Sequence, residues 1–281
     1  MRLIVSLTLI IVGASGAHAS GADAASTHRA VDTRPALDDT TAQALGQRIW
    51  HNEGQGKEEY LMWWNAGEAF ASLGIGHFIW YPAGQDGPYR ESFPDLIRYL
   101  ESRGIAVPNW LSTIVKEGAP WPNREAFFAA RATTRFQDLQ VFLRASVAEQ
   151  ARFIADRFAR AEARVVLSFS IATRPTIKMR LDALQRTSDG TYALVDYVNF
   201  KGDGLHLSER YAGQGWGLAH VLERMERYQA LPTPLQRFTA AARSVLADRV
   251  NNSPSERNEA RWLPGWNARL NTYTGSPLKP D

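Results

Sequence analysis

The sequence predicts an α+β fold that is predominantly α-helical, a single domain with one small β element near its start. Apolar residues recur at helical spacing behind capping signals from residue 38 onward, and this pattern dominates after Arg124. One stretch, residues 70–80, sets two close glycines inside an apolar run, which suits a hairpin or small sheet better than a helix. No internal repeat, heptad series or low-complexity tract within the fold competes with that reading.

The elements follow in order. Asp38-Asp39-Thr40-Thr41 offers N-cap chemistry, and Ala44, Leu45, Ile49 and Trp50 continue at helical spacing. That helix is expected to stop at His51-Asn52-Glu53-Gly54, which leaves Glu53 just past its end. Residues 60–65 read as a short helical turn, 70–80 as the β element and 81–88 as a Pro/Gly turn. Ser92-Phe93-Pro94-Asp95 opens a helix to about Ser102, with Gly104 after it. Prolines at 108, 120 and 122 break residues 104–123 into loops around one short helix. Ser146-Val147-Ala148-Glu149 has the form of a capping box leading into a helix over 150–164. Further helices are expected at 175–186, 192–200, 216–229, 234–250 and 254–271.

Composition narrows the function. A chain of 281 residues, 44% hydrophobic, can bury one large core without disulfides, and it contains no cysteine. Its net charge is only +3 and no run of Lys and Arg marks a stripe, so nucleic acid is not an expected partner. Residues 1–19 read as a secretory signal peptide: Arg2, an apolar run over residues 3–12, then Ala17-His18-Ala19. The apolar run is too short for a membrane span, which needs about 20 residues. Residues 20–37 read as a flexible leader, residues 38–281 as the folded domain, and the destination as the periplasm or the exterior. No cofactor or metal is expected, because the six histidines form no pair at ligand spacing. The glycine-rich residues 210–217 lack a P-loop ending, and no Gly-x-Ser-x-Gly elbow occurs.

The stretch from His51 to Tyr81 carries the most chemistry. A carboxylate at a helix terminus, Glu53, precedes Ser72-Leu73-Gly74-Ile75-Gly76-His77, whose glycines let a backbone or ligand come close. A half-buried carboxyl in such a cleft can donate a proton near neutrality, although a solvated helix-end acid fits the same residues. His77 suits a base or ligand, and more often such a histidine holds the hairpin through its backbone. Aromatic side chains pack on the C–H faces of sugars. Among Trp64, Trp80 and Tyr81, one or two are therefore expected to line the cleft, with core packing claiming most of the tryptophans, Trp50, Trp262 and Trp266 included.

These motifs resemble the phage-type lysozyme family. In that family a glutamate ends the first helix and a Thr-Ile-Gly-x-Gly-His strand follows. Residues 192–202, Tyr-Ala-Leu-Val-Asp-Tyr-Val-Asn-Phe-Lys-Gly, are similar to the family's Ala-Leu-x-Ser-Phe-x-Phe-Asn-x-Gly helix, and Ser255-Glu256-Arg257-Asn258-Glu259-Ala260 is similar to its Arg-Arg-x-x-Glu helix. The resemblance implies a lysozyme-like fold, a small β lobe and a larger helical lobe with a cleft between. It also implies cleavage of the β-1,4 bonds of peptidoglycan, with Glu53 as general acid. The family's acidic residue or Cys six positions before the hairpin Thr is Ala66 here, and the Thr is Ser72, which keeps a hydroxyl to position water. Glu68 is the candidate second carboxylate, with Asn65 the other nearby polar side chain; Asn199 matches the family's Asn. A lytic transglycosylase, which needs one acid, a chitosanase-like enzyme and a non-catalytic glycan-binding cell-wall protein are the alternatives. Residues 80–193 match nothing in the family and are expected to add cleft walls.

Overall fold

The computed structural model describes residues 38–87, 89–207 and 209–275; the expected signal peptide and leader lie outside them. The first helix, α1 (Asp39–Gly54), is capped by Asp38, whose carboxylate accepts from the Thr41 N–H at 2.8 Å. These hydrogen bonds hold the Asp38 carboxyl below its ordinary value. Ala42, Leu45, Ile49 and Glu53 are all buried, and steps of three and four residues place them on one face. The helix thus runs through Glu53 instead of ending before it, and the carboxylate continues the apolar stripe at its C-terminal end. Gln55, in the left-handed region at φ 54°, then turns the chain out.

A 3₁₀ turn (Glu58–Leu61) follows and leads directly into β1 (Met62–Trp63), where the sequence suggested only a helical turn. Strands β2 (Ala71–Leu73) and β3 (Phe78–Trp80) complete an antiparallel sheet of order β1-β2-β3. Trp63, Ser72 and Ile79 stand in register across it and share one face. The β2–β3 turn is seated on the helix that carries Gln150. Ile75 N–H donates to Gln150 Oε1 at 2.9 Å, and a Cβ on Gly74 (φ +70°) would lie 2.3 Å from that same oxygen. Only glycine fits there.

The sheet is followed by α2 (Phe93–Ser102), α3 (Asn109–Ile114), α4 (Arg124–Ala129), α5 (Thr134–Ala145), α6 (Val147–Ser168), α7 (Arg174–Gln185) and α8 (Ser188–Lys201). A hairpin of β4 (Arg210–Tyr211) and β5 (Gln214–Gly215) precedes α9 (Leu218–Arg224), α10 (Pro234–Asn252) and α11 (Leu263–Asn271). Helix α8 is buried on nearly every side, Tyr192 to Tyr197 without a break, which marks it as the central helix. Helices α1 and α6 pack closely, for a Cβ on Gly46 would lie 2.8 Å from Val147 Cγ1.

Three local expectations are corrected. The capping box at Ser146 does not form: only this residue separates α5 from α6, and its Oγ donates back to the Phe142 carbonyl at 2.8 Å. The expected helix over 254–271 is two 3₁₀ turns and α11, because Asn258 adopts φ 46°. The glycine-rich residues 210–215 pair as a hairpin the sequence reading missed.

Candidate active site

Three distant stretches meet at Glu53. Its Oε1 accepts from Arg269 Nη2 at 2.8 Å and from Asn199 Nδ2 at 3.2 Å, while Oε2 lies 3.7 Å from His77 Nδ1. The residue is 8% exposed, so little water competes for those contacts. Arg269 in turn grips Asp196 with both Nε and Nη2 at 2.8 Å, and Tyr273 O–H donates to Asp196 Oδ2 at 2.6 Å. Burial alone would lower the guanidinium's pKa, but Asp196 and then Glu53 outweigh it and hold Arg269 well above its ordinary value. Asp196 therefore fixes the arginine, and the arginine fixes Glu53.

His77 faces the same carboxylate from the hairpin. Its Nε2 is 3.0 Å from the Tyr60 carbonyl, which can only accept, so in the neutral ring Nε2 carries the proton and Nδ1 is left as an acceptor toward Glu53. Burial pushes the imidazole below its usual value, against the opposing pull of Glu53. The structural role and the site role thus coincide in one ring.

Glu53, His77 and Asn199 line a cleft of about 680 Å³. Helix α2, the chain before it and α6 also line it, so part of the family-unmatched segment 80–193 does supply cleft walls. The cleft's aromatic side chains are Tyr89, Tyr99, Phe153 and Phe200. Two further carboxylates reach it. Asp95 is tied to Arg90 and Arg98. Glu209 has no ion pair among the described residues, and burial, then Asp203, push its carboxyl up to about 7.

Lys201 also lines the cleft, its Nζ 3.7 Å from the Trp266 ring centroid and 4.1 Å from that of Phe200. It makes no hydrogen bond among the described residues, and burial, then Arg249, hold its amine well below the ordinary value.

Other expected site residues lie elsewhere. Trp64, Trp80 and Tyr81 do not line the cleft. Trp64 packs on Phe127, and Trp80, fully buried, packs against Phe93 and Trp121. Strand alternation explains Trp80: Ile79 takes the cleft face of β3, so its neighbour points away. Tyr81 is covered from Gly87, where a Cβ would sit 2.4 Å from its hydroxyl. Glu68 and Asn65 are also outside the cleft, bonded to each other at 3.1 Å in the β1–β2 loop. Ser72 shares the sheet face of Ile79 but is buried, and its Oγ has no hydrogen-bond partner among the described residues.

Sequence reasoning missed Arg269 and Glu209. The spacing of Arg269 and Tyr273, one helical turn apart, is a signal for a shared buried partner. Glu209 gave no signal. Among the described residues no helix is long and apolar enough to cross a membrane, and no cluster of three His, Cys, Asp or Glu could hold a metal ion. No family model, curated protein or solved structure matches the chain.

Proposed function

We propose that the protein is an exported, lysozyme-like glycosidase that cleaves β-1,4 bonds of peptidoglycan with Glu53 as general acid. The observation that supports this most is convergence: Glu53, His77 and Asn199, drawn from three separated stretches of the chain, line one groove. Arg269 and Asn199 occupy Oε1, which leaves Oε2 as the oxygen to protonate the leaving group while positive charge builds on the sugar ring. A fixed carboxyl loses little entropy when the chain of sugars arrives.

A second carboxylate would stabilise that charge or activate water. Glu68, outside the groove, does not fit the task. Glu209 is the better candidate: it lines the groove, no guanidinium is bonded to it, and a carboxyl pushed up to about 7 by burial suits a base that activates water better than a standing anion. A chitosanase-like activity is disfavoured, since five arginines in the groove would repel a polyamine.

The test is product analysis by mass spectrometry after incubating the purified protein, and its Glu53→Gln variant, with peptidoglycan. Reducing muropeptides are expected, with the variant slower by about 10³-fold or more, roughly 4 kcal/mol of barrier. Anhydro ends instead would assign the lytic transglycosylase route. Binding without products, equal in both proteins, would leave a glycan-binding protein and end the catalytic reading.

A further inference from the structure

The cleft is unusually rich in arginine. Helix α6 turns Phe153, Arg157, Arg160 and Arg164 toward it, at steps of four, three and four residues, so they form one stripe along a single face. Arg90 and Arg98 stand on the α2 side. Carboxylates do not balance this group. Arg90 and Arg98 share Asp95, and Arg164 is held by Asp203 at 2.7 Å, whereas Arg157 and Arg160 have no ion pair among the described residues. Arg157 is half-buried with its guanidinium 5.9 Å from the Phe153 ring. Burial first, then Arg90, with Arg160 and Arg164 adding to it, lower its pKa, and Asp95 only partly offsets them.

Like charges gathered in a concave site repel one another, and a bound anion relieves that repulsion. The planar guanidinium suits carboxylate oxygens, which it can bind in pairs. We infer that the Arg157–Arg160 stripe of α6 is a subsite for carboxylates carried as substituents on the glycan that lies in the groove. This rests on the proposed glycosidase reading for the identity of the polymer, and it adds the selectivity: acidic, substituted strands are held over neutral ones. Glu53 then works at one part of the groove while the stripe sets register by gripping side groups, not the sugar backbone.

Binding separates this inference from the catalytic one. Three probes are titrated into the purified protein in its Glu53→Gln form: peptide-bearing peptidoglycan strands, strands stripped of peptide that keep the lactyl carboxylate, and a neutral chitin oligosaccharide. Peptide-bearing strands are expected to bind at least 10-fold tighter than the chitin oligosaccharide, with affinity falling as salt rises. The Arg157→Gln/Arg160→Gln variant is expected to lose that preference and flatten the salt dependence while its affinity for the chitin oligosaccharide stays unchanged. Arg157→Lys/Arg160→Lys, which keeps the charges, is expected to retain the salt dependence. The stripped strands expose the lactyl carboxylate that the peptide otherwise occupies as an amide: a preference that persists on them shows that the stripe also reads a carboxylate set directly on the sugar, and one that vanishes assigns the carboxylates of the peptide alone. Equal binding of neutral and acidic strands by the arginine-bearing protein, or an undiminished preference in the Gln variant, overturns the subsite. If acidic strands bind through the arginines yet protein with Glu53 intact cleaves none of the three probes, the glycosidase reading fails and the anion subsite stands.

Discussion

Arg249 and Arg269 are both buried, both grip a carboxylate through two nitrogens, and only Arg269 stands beside the cleft. Arg249 on α10 donates from Nε and Nη2 to the two oxygens of Glu259 at 2.7 and 3.0 Å, and the pair is almost completely shielded from water. Tyr211 O–H adds a bond to Glu259 at 2.9 Å, and the Trp216 ring covers the guanidinium at 4.1 Å. Burial would raise the Glu259 carboxyl, but the Arg249 bonds win and hold it below its ordinary value. Arg269 is arranged differently. Asp196 takes both Nε and Nη2, and Nη2 is shared with Glu53 at the cleft. Arg249 serves a single carboxylate, which Arg257 also approaches at 3.8 Å, and such a sealed cluster can only join elements, here α10 to the segment before α11. An arginine with a second carboxylate can join elements and also aim one at a substrate.

That contrast is sharpest when a partner is removed. Glu259→Ala leaves Arg249 charged, buried and without its anion, and a broken buried pair costs about 3–5 kcal/mol. Urea unfolding should show this loss, while, on the proposed glycosidase reading, cleavage per folded molecule stays at the wild-type rate. Replacing both members together by Leu and Met should recover most of the stability, since well-packed apolar side chains often substitute for a buried pair. Lost cleavage in folded Glu259→Ala would mean that the sealed cluster also serves the site.

Asp196→Asn strikes the other arginine. It removes a charge from Arg269 and brings an amide N–H against a guanidinium N–H, a loss of roughly 2–3 kcal/mol. Here stability and activity should fall together, the activity by about 10²-fold, because Glu53 loses the group that aims it. A stable, fully active Asp196→Asn would show that Asn199 and His77 position Glu53 without help.

Parts of the fold were legible in the sequence although this contrast was not, and the difference has definable reasons. The Asp38 cap, the β element within residues 70–80 and the mainly helical character depend on neighbours within a few residues, so local chemistry revealed them. Glu53 was singled out by its place at a helix end and by the family resemblance, but the hydrogen bond that places it comes from a residue 216 positions away. No local pattern announces such a partner. Aromatic side chains misled for a related reason: Trp80 and Tyr81 favour glycan and core alike, and only strand alternation and packing decided for the core. The α6 stripe at 157, 160 and 164 is visible in the sequence, yet charged residues at helical spacing ordinarily mark a solvated face. It became a cleft wall only once α2 and the end of α8 had packed around it.

Glu209 completes the series, a cleft carboxylate with no guanidinium bonded to it. Its Oε2 is buried without a hydrogen-bond partner among the described residues, Asp203 repels it, and Arg249 attracts it only from a distance. Its carboxyl therefore takes a proton at about 7 in the folded chain, against an ordinary value of 4.5. Between those pH values the folded state binds more protons than the unfolded one, so this group's contribution declines as pH rises and is lost above about 7. Glu209→Gln should then be more stable than wild type at pH 8 by about 1 kcal/mol, a figure kept small because water screens its open side, and no different at pH 4. Thermal melts of the two proteins at both pH values give the comparison directly. Parallel pH profiles would mean that the Glu209 carboxyl is ionised at neutrality, and the ranking of carboxylates by what holds them, two guanidinium nitrogens, one or none, would lose its third member.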